Sequence, residues 1–298
     1  MLANKPWKLE AIVRLVLSVF ACFFGGSLLA TALYVAGRGA DVRWKFLLIS
    51  TVAFAGFGGT LALLRKGWSK DNVLPRAIVC LVFFYIGLSF GTWAESVAKR
   101  PAGTVSTGQM IVSLVCFQGA ALWFMDRLLK DSAMSWKETF GFGNKWPRAL
   151  LWGLMAGALF LEVGMLLQNL SVEAMKHLPV PIKPQEQPSV QTIRNAASWL
   201  ESVVLGVGTI LLVPVAEETL FRGILYPAIK QAGFPRLALW ITSLLFAVIH
   251  NNIAALLPLF VLSLVLTFLY EYTGNLLAPI AAHAVFNALN FASIYTRG

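Results

Sequence analysis

The chain has 298 residues, of which 58% are hydrophobic and 13% charged. A soluble domain carries roughly a quarter charged residues, so this composition excludes a water-covered surface and makes lipid the solvent for much of the molecule. Formal net charge is +10, but the basic residues fall mainly between apolar runs, where they set topology and meet anionic headgroups. No basic stripe interleaved with aromatics marks a nucleic-acid partner.

Lys5, Lys8 and Arg14 flank the start of the first apolar run, 11–35. It outlasts the roughly 7–15 residue core of a signal peptide, so a retained first helix is expected. Runs near the spanning length of about 20 residues follow at 44–64, 77–97, 108–125, 149–170, 199–226, 237–253, 256–270 and 276–294. The runs at 237–253 and 256–270 are only marginally long and nearly touch around Pro258. They form a tight hairpin or a pair of partly re-entrant helices. The expected fold is an all-α polytopic transmembrane bundle of nine helices, with eight as the nearest alternative. Cys22, Cys80 and Cys116 each lie inside an apolar run without close spacing, which argues against a disulfide framework and a cysteine-based zinc site.

Two connections divide the chain. The segment 126–148 is polar and mixed in charge; its aromatics beside Lys145 and Arg148 suit the headgroup level. The segment 173–195 contains Pro179, Pro181, Pro184 and Pro188 and reads as an extended loop. It separates residues 1–172, helices without recognisable chemistry, from 196–298, a block dense in polar groups inside apolar runs. Lys and Arg are more numerous on the side of the N-terminus, which favours a cytoplasmic N-terminus in the plasma (inner) membrane.

A charged group inside a bilayer costs about 2.5–3.5 kcal/mol on insertion scales. The stretch 213–223 nevertheless places Glu217, Glu218 and Arg222 together. Glu218 and Arg222 are i and i+4 and pair on a helix. Glu217 is turned about 100° away and has no basic residue at i+3 or i+4, so it is left available. Pro214, just upstream, is expected to kink the helix. Taken alone, the motif fits a buried ion network holding helices together equally well. The histidines change the weighing. Of the three in the chain, His177 lies in the proline-rich loop and reads as solvated. His250 ends an apolar run with Phe246 one turn earlier, and His283 shares a helix face with Asn287. Two such histidines, an in-register Asn and a free Glu point to function over packing. Glu95 and Glu201 lie near segment ends, and Glu162 is read as structural or as lining the same cavity.

The ordered set Glu-Glu-x-x-x-Arg, Phe-x-x-x-His and His-x-x-x-Asn on three successive hydrophobic elements resembles the CPBP family. These are the type II CAAX-prenyl endopeptidases and their bacterial bacteriocin-processing relatives, also called the Abi family. The resemblance runs over about 200–291 and includes the stretch 272–280; the first five segments match only in being hydrophobic helices. It implies an intramembrane protease that cleaves a lipidated or membrane-associated peptide substrate. Glu217 would activate a water, and His250 would position it or pass protons. His283 and Asn287 would donate to the oxyanion, with Glu218, Arg222 and Phe246 in support. The resemblance implies no cofactor. Zinc held by Glu217, His250 and His283 is the alternative, although no His-Glu-x-x-His helix is present. Two other functions compete. One is a non-catalytic scaffold or bacteriocin-immunity protein of the same fold. The other is an ion-coupled transporter, which would call for an internal inverted repeat that the sequence does not show.

Overall fold

Backbone amides cannot hydrogen-bond to lipid, so each apolar run closes its own hydrogen bonds as a helix. In the computed structural model, which describes residues 8–65, 67–68, 72–99, 106–177, 188–196 and 198–296, helices dominate in this way. Eight are long and apolar enough to cross a membrane. They are α1 (Leu9–Val35), α2 (Ala40–Leu64), α3 (Val73–Ala98), α4 (Thr107–Asp131), α6 (Trp146–Lys176), α8 (Trp199–Gln231), α10 (Ile253–Thr273) and α11 (Leu277–Thr296). Shorter helices lie between them: α5 (Trp136–Phe140), α7 (Pro188–Arg194) and α9 (Pro235–Val248).

Among the described residues the count is thus eight, the stated alternative to nine. The run 237–253 supplies α9, whose 14 residues extend about 21 Å at 1.5 Å per residue, short of a hydrocarbon core of about 30 Å. Local signals end it there. Asn251 takes a left-handed φ of 48°, and the Asn252 side chain accepts from the Ala255 N–H at 3.1 Å, capping α10. A second difference concerns the proline-rich segment. Residues 178–187, with Pro179, Pro181 and Pro184, lie outside the described residues. Pro188, expected in an extended loop, instead opens α7, because a proline in the first turn removes no intrahelical bond.

The described residues pack as two compact units, divided between Leu128 and Leu129. In the first, Leu28, Phe46, Ala53 and Phe57 belong to the buried core. A Cβ at Gly56 would lie 2.7 Å from Phe83 O, so α2 and α3 meet backbone to backbone. Glu95 accepts from the Thr31 hydroxyl at 2.7 Å and turns inward to join α3 to α1. All three cysteines are free.

In the second unit, α6 and α11 approach as closely as small residues allow. A Cβ at Gly153 would sit 2.8 Å from Ala281 Cβ, and one at Gly157 would sit 2.9 Å from Val285 Cβ. This small-x-x-x-small seam presses α6 onto the helix that carries His283 and Asn287. The polar connection before α6 is also tied down. Ser135 caps α5, and Gly141, at φ 73°, ends it. Leu276 N–H donates to Phe140 O at 2.9 Å, and Asn275 Nδ2 donates to Asn144 O at 2.8 Å. These bonds fix the turn from α10 into α11.

Candidate active site

The helix α8 is not a uniform α-helix. Wide π turns at Gly208–Leu212 and Thr219–Leu225 flank the α-helical stretch Val213–Glu218. Pro214 lies inside this continuous helix, where its missing N–H leaves a backbone bond unmade, and the first π turn comes just before it. Single π turns recur where a helix must re-aim side chains. Here they bracket Glu217 and Glu218, which are both buried.

The two neighbouring carboxylates differ in their surroundings. Glu218 Oε1 accepts from Arg222 Nη1 at 2.9 Å and lies 2.8 Å from His283 Nδ1. Arg222 spends its other donors on α10: Nη2 on the carbonyl and hydroxyl of Ser263 at 3.0 and 2.7 Å, Nε on Thr267 Oγ1 at 3.4 Å. Its guanidinium also stands 4.7 Å from the centroid of the Phe246 ring. A buried ion pair is tolerated when its remaining donors are satisfied in this way. Glu217 is 6% exposed; its Oε2, like Glu218 Oε2, is buried without a hydrogen-bond partner among the described residues, but Arg222 and His283 hold Glu218 alone.

Phe246 lies at the centre of the arrangement. Its ring centroid is 4.9 Å from that of His250, 5.7 Å from His283 and 5.3 Å from Phe221. His250 Nδ1 lies 2.7 Å from Phe246 O. A carbonyl only accepts, so Nδ1 carries the proton and Nε2 of the neutral ring is left with its lone pair. The carboxylate of Glu218 fixes His283 in the same sense. Its Nε2 then accepts when the ring is neutral and donates only when the ring is charged. Asn287 Nδ2 donates to Thr209 O, in the first π turn, at 2.9 Å, which leaves its second amide hydrogen for another acceptor.

The structure thus brings Glu218, Arg222, Phe246, His250 and His283 into one contact network, places Glu217 beside Glu218 and ties Asn287 to α8. His177 and Glu162 stay outside it. His177 is the C-cap of α6, with a largely exposed side chain 3.8 Å from Glu173. Glu162 is exposed on α6. Ser263, Thr267 and Thr209 escaped the sequence reading. The first two leave a faint signal, an i and i+4 pair of hydroxyls on an otherwise apolar helix; Thr209 leaves none, because its backbone is what acts. No three His, Cys, Asp or Glu side chains among the described residues gather as a metal site.

Residues 199–289 match the Rce1-like family, described as type II CAAX prenyl endopeptidase. That interval contains α8, α9 and α10 whole and every residue of the network. This part of the chain is an Rce1-like domain. The match agrees with the CPBP resemblance carried by the three motifs. Among curated proteins, the uncharacterized protein YpbD of Bacillus subtilis (strain 168) is 39% identical over 83 residues, 26% of this chain and 40% of its own length. The UPF0177 protein YxdF of Lactococcus lactis subsp. lactis (strain IL1403) is 31% identical over 85 residues, 28% of this chain and 46% of its own. The chain therefore spans less than half the length of either relative it matches. No solved structure matches the chain. The Rce1-like domain lies wholly within the second unit.

Proposed function

We propose that the Rce1-like domain is an intramembrane endopeptidase in which Glu217 activates the attacking water. The observation that carries this reading is the contrast between adjacent buried carboxylates. Each keeps a buried unpartnered Oε2, but only Glu218 is committed, through Oε1, to Arg222 and His283. An unpartnered carboxylate oxygen can accept a proton from water as the water oxygen adds to a peptide carbonyl carbon. The developing oxyanion is met by the second amide hydrogen of Asn287, and by His283 Nε2–H when that ring is charged. A donor of this kind is worth about 3–4 kcal/mol in a water-poor site. As the C–N bond breaks, the proton taken by Glu217 passes to the leaving amine, directly or through His250 Nε2. Glu218 and Arg222 hold the helix and the His283 ring in register and touch no reacting atom.

Position suggests the substrate class. Glu217 lies 14 residues before the end of α8 and 18 after its start, by the bounds Trp199–Gln231. At 1.5 Å per residue it is roughly 20 Å or more from either end, at hydrocarbon depth. A substrate reaching it must tolerate lipid: a lipidated peptide or a membrane-associated segment. We place the protein in the plasma (inner) membrane with its N-terminus in the cytoplasm, from the distribution of Lys and Arg. A non-catalytic scaffold is the second reading, favoured by the full hydrogen bonding of Arg222, which a purely structural ion network also requires. Glu217→Gln separates the two. Loss of substrate cleavage with unchanged protein level supports the peptidase, and an unaltered phenotype supports the scaffold.

A further inference from the structure

The second unit also holds a pocket of about 690 Å³ away from the carboxylate–histidine network. Asn144, Lys145, Arg148, Trp152, Glu271 and Tyr272 are among its lining residues. They come from the start of α6 and the end of α10, so the pocket opens where two spanning helices leave the hydrocarbon.

Its charge is one-sided. The acid that faces it, Glu271, is ion-paired with Lys230 on α8. Lys145 and Arg148 are exposed and form no ion pair with a described residue. Two cations therefore face the pocket against one acid that is already neutralised. Its wall is aromatic. Trp152 meets Tyr272 edge-on, with centroids 5.7 Å apart, and Tyr272 stacks on Phe268 at 6.0 Å. Trp and Tyr concentrate at the membrane–water boundary. Further along α6, Leu151 and Met155 carry the lining into apolar surface and remain 56% and 46% exposed. The floor is rigid, since Asn144 O is held by Asn275 Nδ2 and Phe140 O by Leu276 N–H.

We propose that this pocket binds the phosphodiester headgroup of an anionic phospholipid. Arg148 presents a planar fork that matches two phosphate oxygens, and Lys145 adds a point charge. Trp152 and Tyr272 flank the glycerol and ester region, and Leu151 and Met155 run beside the first acyl carbons. Cations alone would suit any soluble anion. The aromatic wall and its apolar continuation select a lipid, as basic pockets between spanning helices do elsewhere. Occupancy would brace the α10–α11 turn that leads to His283. The proposal does not depend on whether the site near Glu217 cleaves peptides.

The test is native mass spectrometry of the full-length protein released from nanodiscs containing phosphatidylglycerol and phosphatidylcholine. The wild type should retain phosphatidylglycerol preferentially. The double variant Lys145→Gln/Arg148→Gln should lose that preference by roughly tenfold or more, the scale of two basic groups at an anionic surface. Arg236→Gln, an exposed cation outside the pocket, should keep it. The swap Lys145→Arg/Arg148→Lys should restore it, which separates lost charge from lost fold. Equal retention of both lipids by the wild type, or an undiminished preference in the double glutamine variant, would overturn the proposal. Displacement of the lipid by millimolar inorganic phosphate would also overturn it, by assigning the pocket to a free anion.

Discussion

Glu217 and Glu218 are adjacent in sequence, alike in chemistry and alike in burial, so their difference lies in their neighbours. Replacing Glu218 by Gln would leave Arg222 buried without its counter-charge and His283 without its carboxylate. Breaking one side of such a pair costs about 3–5 kcal/mol, and we expect a clear drop in thermal stability in detergent. Glu217→Gln removes a buried charge that has an unpartnered oxygen, so the protein should unfold at the same temperature or higher while cleavage is lost. A scan in which Glu217→Gln proved the more destabilising of the two would contradict the assignment. At this scale the sequence was informative only locally. The i and i+4 spacing announced the Glu218–Arg222 pair and left Glu217 aside. It did not announce His283 as the second partner of Glu218, because a contact across 65 residues has no periodic signature. The partner of Asn287 was hidden for another reason: it is a backbone carbonyl, which every residue possesses.

Among the elements, α6 and α8 position the site by opposite means. On α6, glycine removes bulk where α11 must approach. A leucine at Gly157 would drive into Val285 and the carbonyl of Ala282, displacing the face that carries His283 and Asn287. We expect Gly157→Leu to lower both thermal stability and any cleavage activity. Gly58→Ala should be neutral or slightly stabilising, since a Cβ there meets open space and alanine favours the helix. A tolerated Gly157→Leu would show that the seam does not set α11. On α8, the π turns around Pro214 change the angular spacing, and hydropathy carries no trace of them. Hydropathy also counted α9 as a span, since an apolar run measures burial and not length beyond its cap. The Asn251–Asn252 pair that stops the helix was readable, but its weight against a continuous apolar pattern was not.

For the whole molecule, composition was decisive about the solvent and silent about the partner. With 13% charged residues, the outer surface must face lipid, and exposed Leu, Val and Trp side chains are accordingly abundant on the spanning helices. Orientation is testable directly. Ala133 and His177 lie beyond opposite ends of α6. Lys137, Lys145 and Arg148 precede or open α6 at the end near Ala133, and Lys230 pairs there with Glu271, which lines the same pocket as Lys145 and Arg148. In a chain whose three native cysteines are replaced, a cysteine at Ala133 should be labelled from the cytoplasmic side and one at His177 from the opposite side. Labelling of both from one side would refute the span assigned to α6. The first unit contributes no motif residue, and the Rce1-like match excludes it. The site is therefore built from α8 to α11, whose three short motifs stand in order in the sequence.

Water activation by Glu217 is tested by comparing new protein termini, by mass spectrometry, in membranes of cells making the wild type or Glu217→Gln at matched levels. Termini should appear with the wild type and vanish with the variant. Identical terminus maps, in cells that contain the native partners, would contradict it.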